Sequence, residues 1–104
     1  MKRIAVHNIA DLSDGSVRRL DLEGREPLAL YKVAGQFYAT DGVCTHGQAY
    51  LFDGIVEQDR IVCPYHLGAF DIRTGMPAAP PCIEPIRTYR VTVQGDTAYI
   101  ELPD

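Results

Sequence analysis

The chain has 104 residues and carries a net charge of −4 at neutral pH. One hydrophobic core is typical of ~100 to 150 residues, so this length predicts a single domain. The hydrophobic fraction of 46% excludes a disordered chain, and the acidic balance disfavours nucleic-acid binding, which uses clustered basic surface. No stretch reaches the ~18 apolar residues that span a membrane, so we expect a cytoplasmic protein without a membrane anchor.

The predicted elements are short strands, because apolar residues recur with a period near two and turn pairs such as Ala34-Gly35 and Thr74-Gly75 separate the runs. In chain order the predicted strands are 3–7, 16–22, 27–34, 36–40, 54–57, 60–63, 69–72, 86–94 and 97–102. Many short strands without a long helix favour an all-β fold, either an antiparallel sandwich or a small barrel.

The Pro-rich segment 76–82 contains Pro77, Pro80 and Pro81. Proline rings fix the backbone angle φ and remove amide donors. We therefore expect a stiff loop at this place rather than a strand.

The three cysteines are too few, and odd in number, for a disulfide framework. Two of them belong to a pattern: Cys44-Thr45-His46 and Cys63-Pro64-Tyr65-His66 each pair a thiolate donor with an imidazole donor, and 16 residues separate the two groups. Four such ligands indicate one metal centre on two glycine-flanked loops.

Zinc and iron are the two candidates for this centre. Zinc fingers usually draw two like ligands from each loop, whereas each loop here supplies one Cys and one His. If each loop gave its Cys to one iron and its His to another, the result would be a 2Fe-2S centre of mixed ligation.

The pattern C-T-H-x16-C-P-Y-H, followed by F-D-I-R-T-G and a Pro loop, closely resembles the Rieske ferredoxins over essentially the whole chain. The resemblance implies a Rieske-type antiparallel β-sandwich over residues 1–104. It also implies a smaller cluster-binding subdomain, at about 42–82, formed by two ligand loops and the Pro loop. One Rieske-type 2Fe-2S cluster is expected, with Cys44 and Cys63 on one iron and His46 and His66 on the other.

Within this family the chain is most similar to the ferredoxin components of bacterial multicomponent aromatic-ring dioxygenases. That likeness implies an electron carrier, not an enzyme. It would be a monomer that passes electrons from a flavin-dependent NAD(P)H ferredoxin reductase, which carries FAD, to a terminal oxygenase. Two alternatives stay open: the small subunit of an assimilatory nitrite reductase, and a zinc-stabilised binding module.

The reduction potential is expected at the low end of the Rieske range. High-potential respiratory Rieske proteins carry a disulfide, a serine and a tyrosine near the cluster, and this chain has Ala49, Tyr65, Gly68 and Phe70 at those positions. Fewer hydrogen bonds to sulfur predict a midpoint of about −150 mV.

The remaining candidate residues receive ordinary interpretations. We expect Cys82 to be a small buried residue rather than a ligand or redox switch, and His7 to be a surface or capping residue. Four acidic residues are expected to be solvated charges more than an acidic docking face, and six aromatic residues to pack in the core rather than conduct electrons. These residues are Asp53, Glu57, Asp59 and Asp71, and Tyr31, Phe37, Tyr38, Phe52, Tyr89 and Tyr99.

Overall fold

The computed structural model describes residues 2–45, 49–64, 68–80 and 82–103. Within these ranges eleven strands and two short 3-10 helices, Ile9–Asp11 and Leu51–Asp53, make up the regular structure. The strands are β1 Lys2–His7, β2 Ser16–Leu20, β3 Leu28–Val33, β4 Gln36–Asp41, β5 Ile55–Glu57, β6 Arg60–Val62, β7 Ala69–Asp71, β8 Pro77–Ala79, β9 Thr88–Tyr89, β10 Val91–Gln94 and β11 Thr97–Leu102.

The strands form three sheets, and every pairing among the described residues is antiparallel. The sheets have the orders β1-β11-β10, β2-β3-β4-β9 and β5-β6-β7-β8. The all-β prediction is therefore confirmed. No helix in the described part of the chain is both long enough and apolar enough to cross a membrane.

The hairpin between β3 and β4 shows why the sequence folds locally as predicted. Val33 pairs with Gln36 across a two-residue turn, Ala34-Gly35, whose φ angles are 51° and 79°. Two positive φ angles define the turn type that matches the natural twist of paired strands. Glycine at the second position adopts this angle without steric cost.

The Pro-rich segment differs from its prediction. Pro77–Ala79 is strand β8 and pairs with β7, with a register shift at Ala69/Phe70. Strand β8 is the outermost strand of its sheet, and no further strand pairs with its open side. Pro77, which has no N–H, is therefore tolerated there without loss of a hydrogen bond on that side. The expectation of a loop without strand structure was wrong for these three residues.

The single strand predicted at 86–94 was also wrong, because the chain changes sheets at Arg90. Thr88–Tyr89 pairs with β4, while Val91–Gln94 pairs with β11 in another sheet. The alternating sequence continues through the change, so periodicity alone does not reveal it.

Strand β3 separates two hydrophobic cores. Leu28 and Leu30 pack into one core, Ala29 and Tyr31 pack into the other, and all four side chains are fully buried. Successive side chains of a strand point to opposite faces, so a strand buried on both faces supplies two cores at once.

The core on the Leu28 side, called the scaffold core here, lies between the first and second sheets. It comprises Ile9, Leu12, Leu20, Leu28, Leu30, Ala39, Tyr89, Ala98, Ile100 and Leu102. The core on the Tyr31 side, called the cysteine core, joins the second sheet to the third sheet and its loops. It comprises Ala29, Tyr31, Cys44, Ala49, Leu51, Ile61, Cys63, Phe70, Ile72, Cys82 and Ile86.

Candidate metal centre

The first predicted ligand loop follows β4. Val43 and Tyr50 form an isolated antiparallel bridge, and inside it the backbone N–H of Cys44 donates to the carbonyl of Ala49 at 2.9 Å. This hydrogen bond joins a residue to the fifth residue after it and closes the loop at its base. Cys44 is 3% exposed, so its thiol lies inside the protein.

The second predicted ligand loop connects β6 to β7 and is closed in the same way. The backbone N–H of Cys63 donates to the carbonyl of Gly68 at 2.7 Å, again five residues on. Cys63 is 2% exposed. The two cysteines therefore begin two loops of equal length with the same closing hydrogen bond.

The structure brings both cysteines into one buried cluster, the cysteine core, and none of the chain's three cysteines forms a disulfide. His46 and His66, the other two predicted ligands, lie outside the described residues, as does Tyr65. Within the described ranges no group of three His, Cys, Asp or Glu side chains has the arrangement of a metal site. The described half of the predicted ligand set is thus two buried cysteines at equivalent loop positions.

A third segment, residues 82–86, borders the first loop. The hydroxyl of Thr45 donates to the carbonyl of Glu84 at 2.9 Å. Cys82 is 3% exposed, as predicted for a small buried residue, and its Sγ lies 3.9 Å from the Sγ of Cys44. The sequence did not reveal this contact, because 38 residues separate the two cysteines.

The segment is fixed at its far end by Gly75. The N–H of Ile86 donates to the carbonyl of Gly75 at 2.8 Å, and the N–H of Gly75 donates to the carbonyl of Asp71, also at 2.8 Å. Gly75 has a φ of +78°, and a Cβ built on it would lie 2.2 Å from the carbonyl oxygen of Ile86. Both the backbone angle and the close approach require glycine here.

Burial raises the pKa of the Cys82 thiol to about 12, with proximity to Cys44 and Cys63 adding to the shift. An anionic sulfur at this position would be poorly solvated and would lie beside two further sulfurs. Burial and the neighbouring sulfurs thus both favour the protonated form of Cys82.

The acidic residues do not form one uniform surface. Asp59 forms an ion pair with Arg73, with 2.6 Å between Oδ2 and Nη2. Asp71 accepts hydrogen bonds from two backbone N–H groups of the turn that follows β7. Asp53 and Glu57 are exposed. Solvated or locally paired charge describes these four residues better than a docking face.

The other residues singled out in the sequence have structural roles. His7 is exposed, and its Nδ1 lies 3.2 Å from the Thr97 hydroxyl. Tyr99 lies under the Arg3 guanidinium, 4.5 Å from the ring centroid. Tyr99 belongs to neither core, so the prediction of core packing was wrong for it. The other five predicted aromatic residues pack in or against the two cores, as expected: Tyr31, Phe37, Tyr38, Phe52 and Tyr89.

Comparison with known protein families decides between the candidate centres. The family description "Rieske 2Fe-2S domain" matches residues 2–90 of the chain. The chain belongs to the Rieske 2Fe-2S domain family. This confirms the resemblance inferred from the two Cys/His groups, and the cofactor of this Rieske protein is one 2Fe-2S cluster.

Individual relatives resemble the Rieske protein over nearly its full length. Ferredoxin CarAc of Metapseudomonas resinovorans is 45% identical over 91 residues, which cover 88% of this chain and 85% of the relative. The ferredoxin component of a naphthalene 1,2-dioxygenase system from Pseudomonas putida is 41% identical over 102 residues, covering 98% and 97%.

Among solved structures, a complex of reduced oxygenase and oxidised ferredoxin in carbazole 1,9a-dioxygenase contains a chain 43% identical to this one. The match covers 94% of this chain and 91% of that chain, with a TM-score of 0.91. Relatives named as ferredoxins and ferredoxin components confirm that the Rieske protein is an electron carrier rather than an enzyme.

Two buried thiols at equivalent loop positions fit the cysteine half of a Rieske site, in which one iron is held by two cysteines. Membership of this family also excludes the zinc-stabilised module, because the family's cofactor is a 2Fe-2S cluster. Ala29 and Tyr31 of β3 are fully buried and belong to the same core as Cys44 and Cys63, so the second sheet supports both cysteines.

Proposed function

We propose that Cys44, His46, Cys63 and His66 hold the cluster, with Cys44 and Cys63 on one iron and the two histidines on the other. The observation that carries this assignment is the matched pair of loops, in which each cysteine is buried and donates its N–H to the fifth residue after it. His46 and His66 follow the two cysteines within those same loops in the sequence.

We assign the cluster-binding subdomain to about residues 42–82 within a single domain of residues 1–104. The ligand loops and the whole third sheet fall inside that span. The first and second sheets, with the scaffold core between them, would then form the larger part that supports it.

When bound, the cluster takes up and releases one electron at a time. The chain contributes a dry environment for the two cysteine sulfurs, because both side chains are almost completely buried. The closing hydrogen bonds fix the start of each loop, so the ligand positions need little rearrangement between redox states.

We further propose that the Rieske protein accepts electrons from a flavin-dependent NAD(P)H reductase and donates them to the terminal oxygenase of an aromatic-ring dioxygenase system, as a cytoplasmic monomer. Relatives named as a ferredoxin and as the ferredoxin component of a dioxygenase system are similar in sequence over 85% and 97% of their own length. In carbazole 1,9a-dioxygenase a similar ferredoxin is found in complex with the oxygenase.

A low reduction potential, about −150 mV, fits this role. Ala49 and Phe70 are buried in the cysteine core and carry no hydroxyl that could donate to a sulfur, and Gly68 has no side chain. A redox titration that returned a strongly positive midpoint would contradict this part of the proposal.

Substitution tests the ligand set with controls that the chain itself offers. We expect Cys44→Ala, Cys63→Ala, His46→Ala and His66→Ala each to lose nearly all cluster iron, measured by iron analysis and visible absorbance. Cys82→Ala and His7→Ala should retain two irons per chain. Iron retained in any of the first four variants would remove that residue from the ligand set.

Reconstitution tests the partners. With NADH, O2 and an aromatic substrate supplied, purified reductase, Rieske protein and terminal oxygenase should together couple NADH oxidation to hydroxylation of the substrate. Omission of the Rieske protein should abolish product formation. Failure of reductase and oxygenase to exchange electrons with it, combined with co-purification of a large sirohaem subunit, would favour the nitrite reductase alternative.

A further inference from the structure

Cys82 and Cys44 form a buried sulfur–sulfur contact that no ligand role accounts for. Their Sγ atoms are 3.9 Å apart, and each residue is 3% exposed. This separation lies within the range of hydrogen bonds that involve sulfur, in which a thiol is a weak donor and a sulfur a weak acceptor. With two thiols, either atom can donate.

Iron binding decides the direction of this hydrogen bond. Cys44 must lose its proton to bind iron, so as a ligand it can only accept. We propose that the Cys82 thiol donates a hydrogen bond to the Cys44 sulfur and thereby raises the reduction potential of the cluster. The inference rests on the proposed ligand set, because it requires Cys44 to be bound to iron.

The backbone holds Cys82 in place for this role. Its N–H donates to the carbonyl of Ala79 at 3.3 Å, and two residues later the carbonyl of Glu84 accepts the hydroxyl of Thr45, the residue after Cys44. The segment is therefore attached on one side to β8 and on the other to the first ligand loop.

Among the described residues of the cysteine core, one side chain besides the cysteines is a hydrogen-bond donor, that of Tyr31. Its hydroxyl is 2.8 Å from the Thr40 hydroxyl, which itself donates to the carbonyl of Asp41 and so accepts from Tyr31. The Tyr31 donor is thus already used.

The sign of the effect follows from charge. Reduction adds an electron, which makes the ligand sulfurs more negative and strengthens any hydrogen bond that they accept. A donor therefore stabilises the reduced form more than the oxidised form. A thiol is a weaker donor than a hydroxyl, so Cys82 raises the potential less than a serine or tyrosine hydroxyl would.

The test uses the intact holoprotein and two substitutions that separate hydrogen bonding from packing. Cys82→Val keeps a small apolar side chain and removes the donor, whereas Cys82→Ser keeps a donor. We expect Val to lower the equilibrium constant for reduction about three- to tenfold, equivalent to about 30 to 60 mV at 59 mV per tenfold for one electron. Cys82→Ser should keep that constant at or above the wild-type value, because a hydroxyl is the stronger donor.

Pulsed electron–nuclear double resonance gives a second readout on the reduced protein in D2O. The wild type should show the signal of an exchangeable hydrogen coupled to the cluster, and this signal should be weaker in Cys82→Val. An unchanged midpoint in a fully loaded Val variant would overturn the proposal, as would equal shifts in Val and Ser. If Val prevents cluster assembly, Cys82→Ala replaces it under the same criteria.

These outcomes are distinguishable from failure of the ligand assignment. A wrong ligand set would appear as iron retained in Cys44→Ala. A wrong role for Cys82 would appear as an unchanged potential in a protein that still contains its cluster.

Discussion

The two faces of β3 support two cores of different character. The scaffold core is built from aliphatic side chains and one tyrosine, whereas the cysteine core contains all three cysteines. Burial of apolar surface stabilises the first. The second contains two sulfurs that we assign to a metal, so part of its stability must come from the cluster, because metal binding is linked to folding. The division predicts that stability and redox properties respond to different substitutions.

Removal of the cluster should produce the largest difference between the two cores. After extraction with acid and chelator, we expect amide hydrogen exchange in residues 55–72 to accelerate about tenfold or more, because the metal no longer links the loops. Exchange in β1 and β11 should change much less. Hydrogen-exchange mass spectrometry measures both regions at once, and equal acceleration in both would show that the two cores unfold as one unit.

Truncation in the scaffold core should affect stability without affecting the electron. Leu30 is fully buried on the face of β3 away from the cysteines. We expect Leu30→Ala to lower the free energy of unfolding by about 2 to 5 kcal/mol, measured by denaturant titration. The midpoint potential of the folded variant should equal that of the wild type. A clear shift in potential would break the proposed division.

Gly75 tests how the segment after β8 is held against the cysteine core. Gly75→Ala places a Cβ 2.2 Å from the carbonyl of Ile86 at a φ of +78°, so we expect a loss of about 1 to 3 kcal/mol. Gly95→Ala is the matched control, with a φ of +60° but no atom within 4 Å of the new Cβ. Equal losses in denaturant titrations would mean that the contact with Ile86 contributes nothing.

The smallest effect concerns Tyr31 and alkaline pH. Burial raises the pKa of the Tyr31 hydroxyl above its ordinary value. The unfolded chain releases this proton at about pH 10, whereas the folded chain retains it. The contribution of Tyr31 to the free energy of unfolding is therefore fully present below that pH and falls as the pH rises above it. Tyr31→Phe should cost about 1 kcal/mol at neutral pH and make the alkaline decline shallower.

Denaturant titrations at several alkaline pH values measure that slope. Tyr99→Phe is the control, because Tyr99 lies under the Arg3 guanidinium and belongs to neither buried core. Identical slopes for the wild type and Tyr31→Phe would contradict the prediction.

Most of the fold could be predicted because its cues are local. Turn pairs such as Ala34-Gly35 and alternating apolar residues place most strand ends within one or two residues of those observed. The two errors have physical causes. The prolines led to the prediction of a loop at β8, but an edge strand tolerates proline because it does not need every N–H. Strands β9 and β10 belong to different sheets, and sheet membership depends on partners that are distant in the sequence.

The candidate site could be predicted in its chemistry but not in its contacts. Spacing and residue type predict four ligands, and the burial of Cys44 and Cys63 agrees with the proposed assignment. The contact between Cys44 and Cys82 depends on how the segment after β8 returns to the first loop. Hydrogen bonds such as that from the Thr45 hydroxyl to the Glu84 carbonyl hold the segment against this loop, and they cannot be predicted from residue type or spacing.

The double burial of β3 limits how the chain can change in length. Insertion or deletion of one residue inside Leu28–Val33 would exchange the faces of every side chain beyond it, and the Tyr31 hydroxyl would enter an aliphatic environment. The same change in residues 21–27, between β2 and β3, leaves the alternation intact. We therefore expect homologous chains to vary in length at that connection and to keep β3 constant.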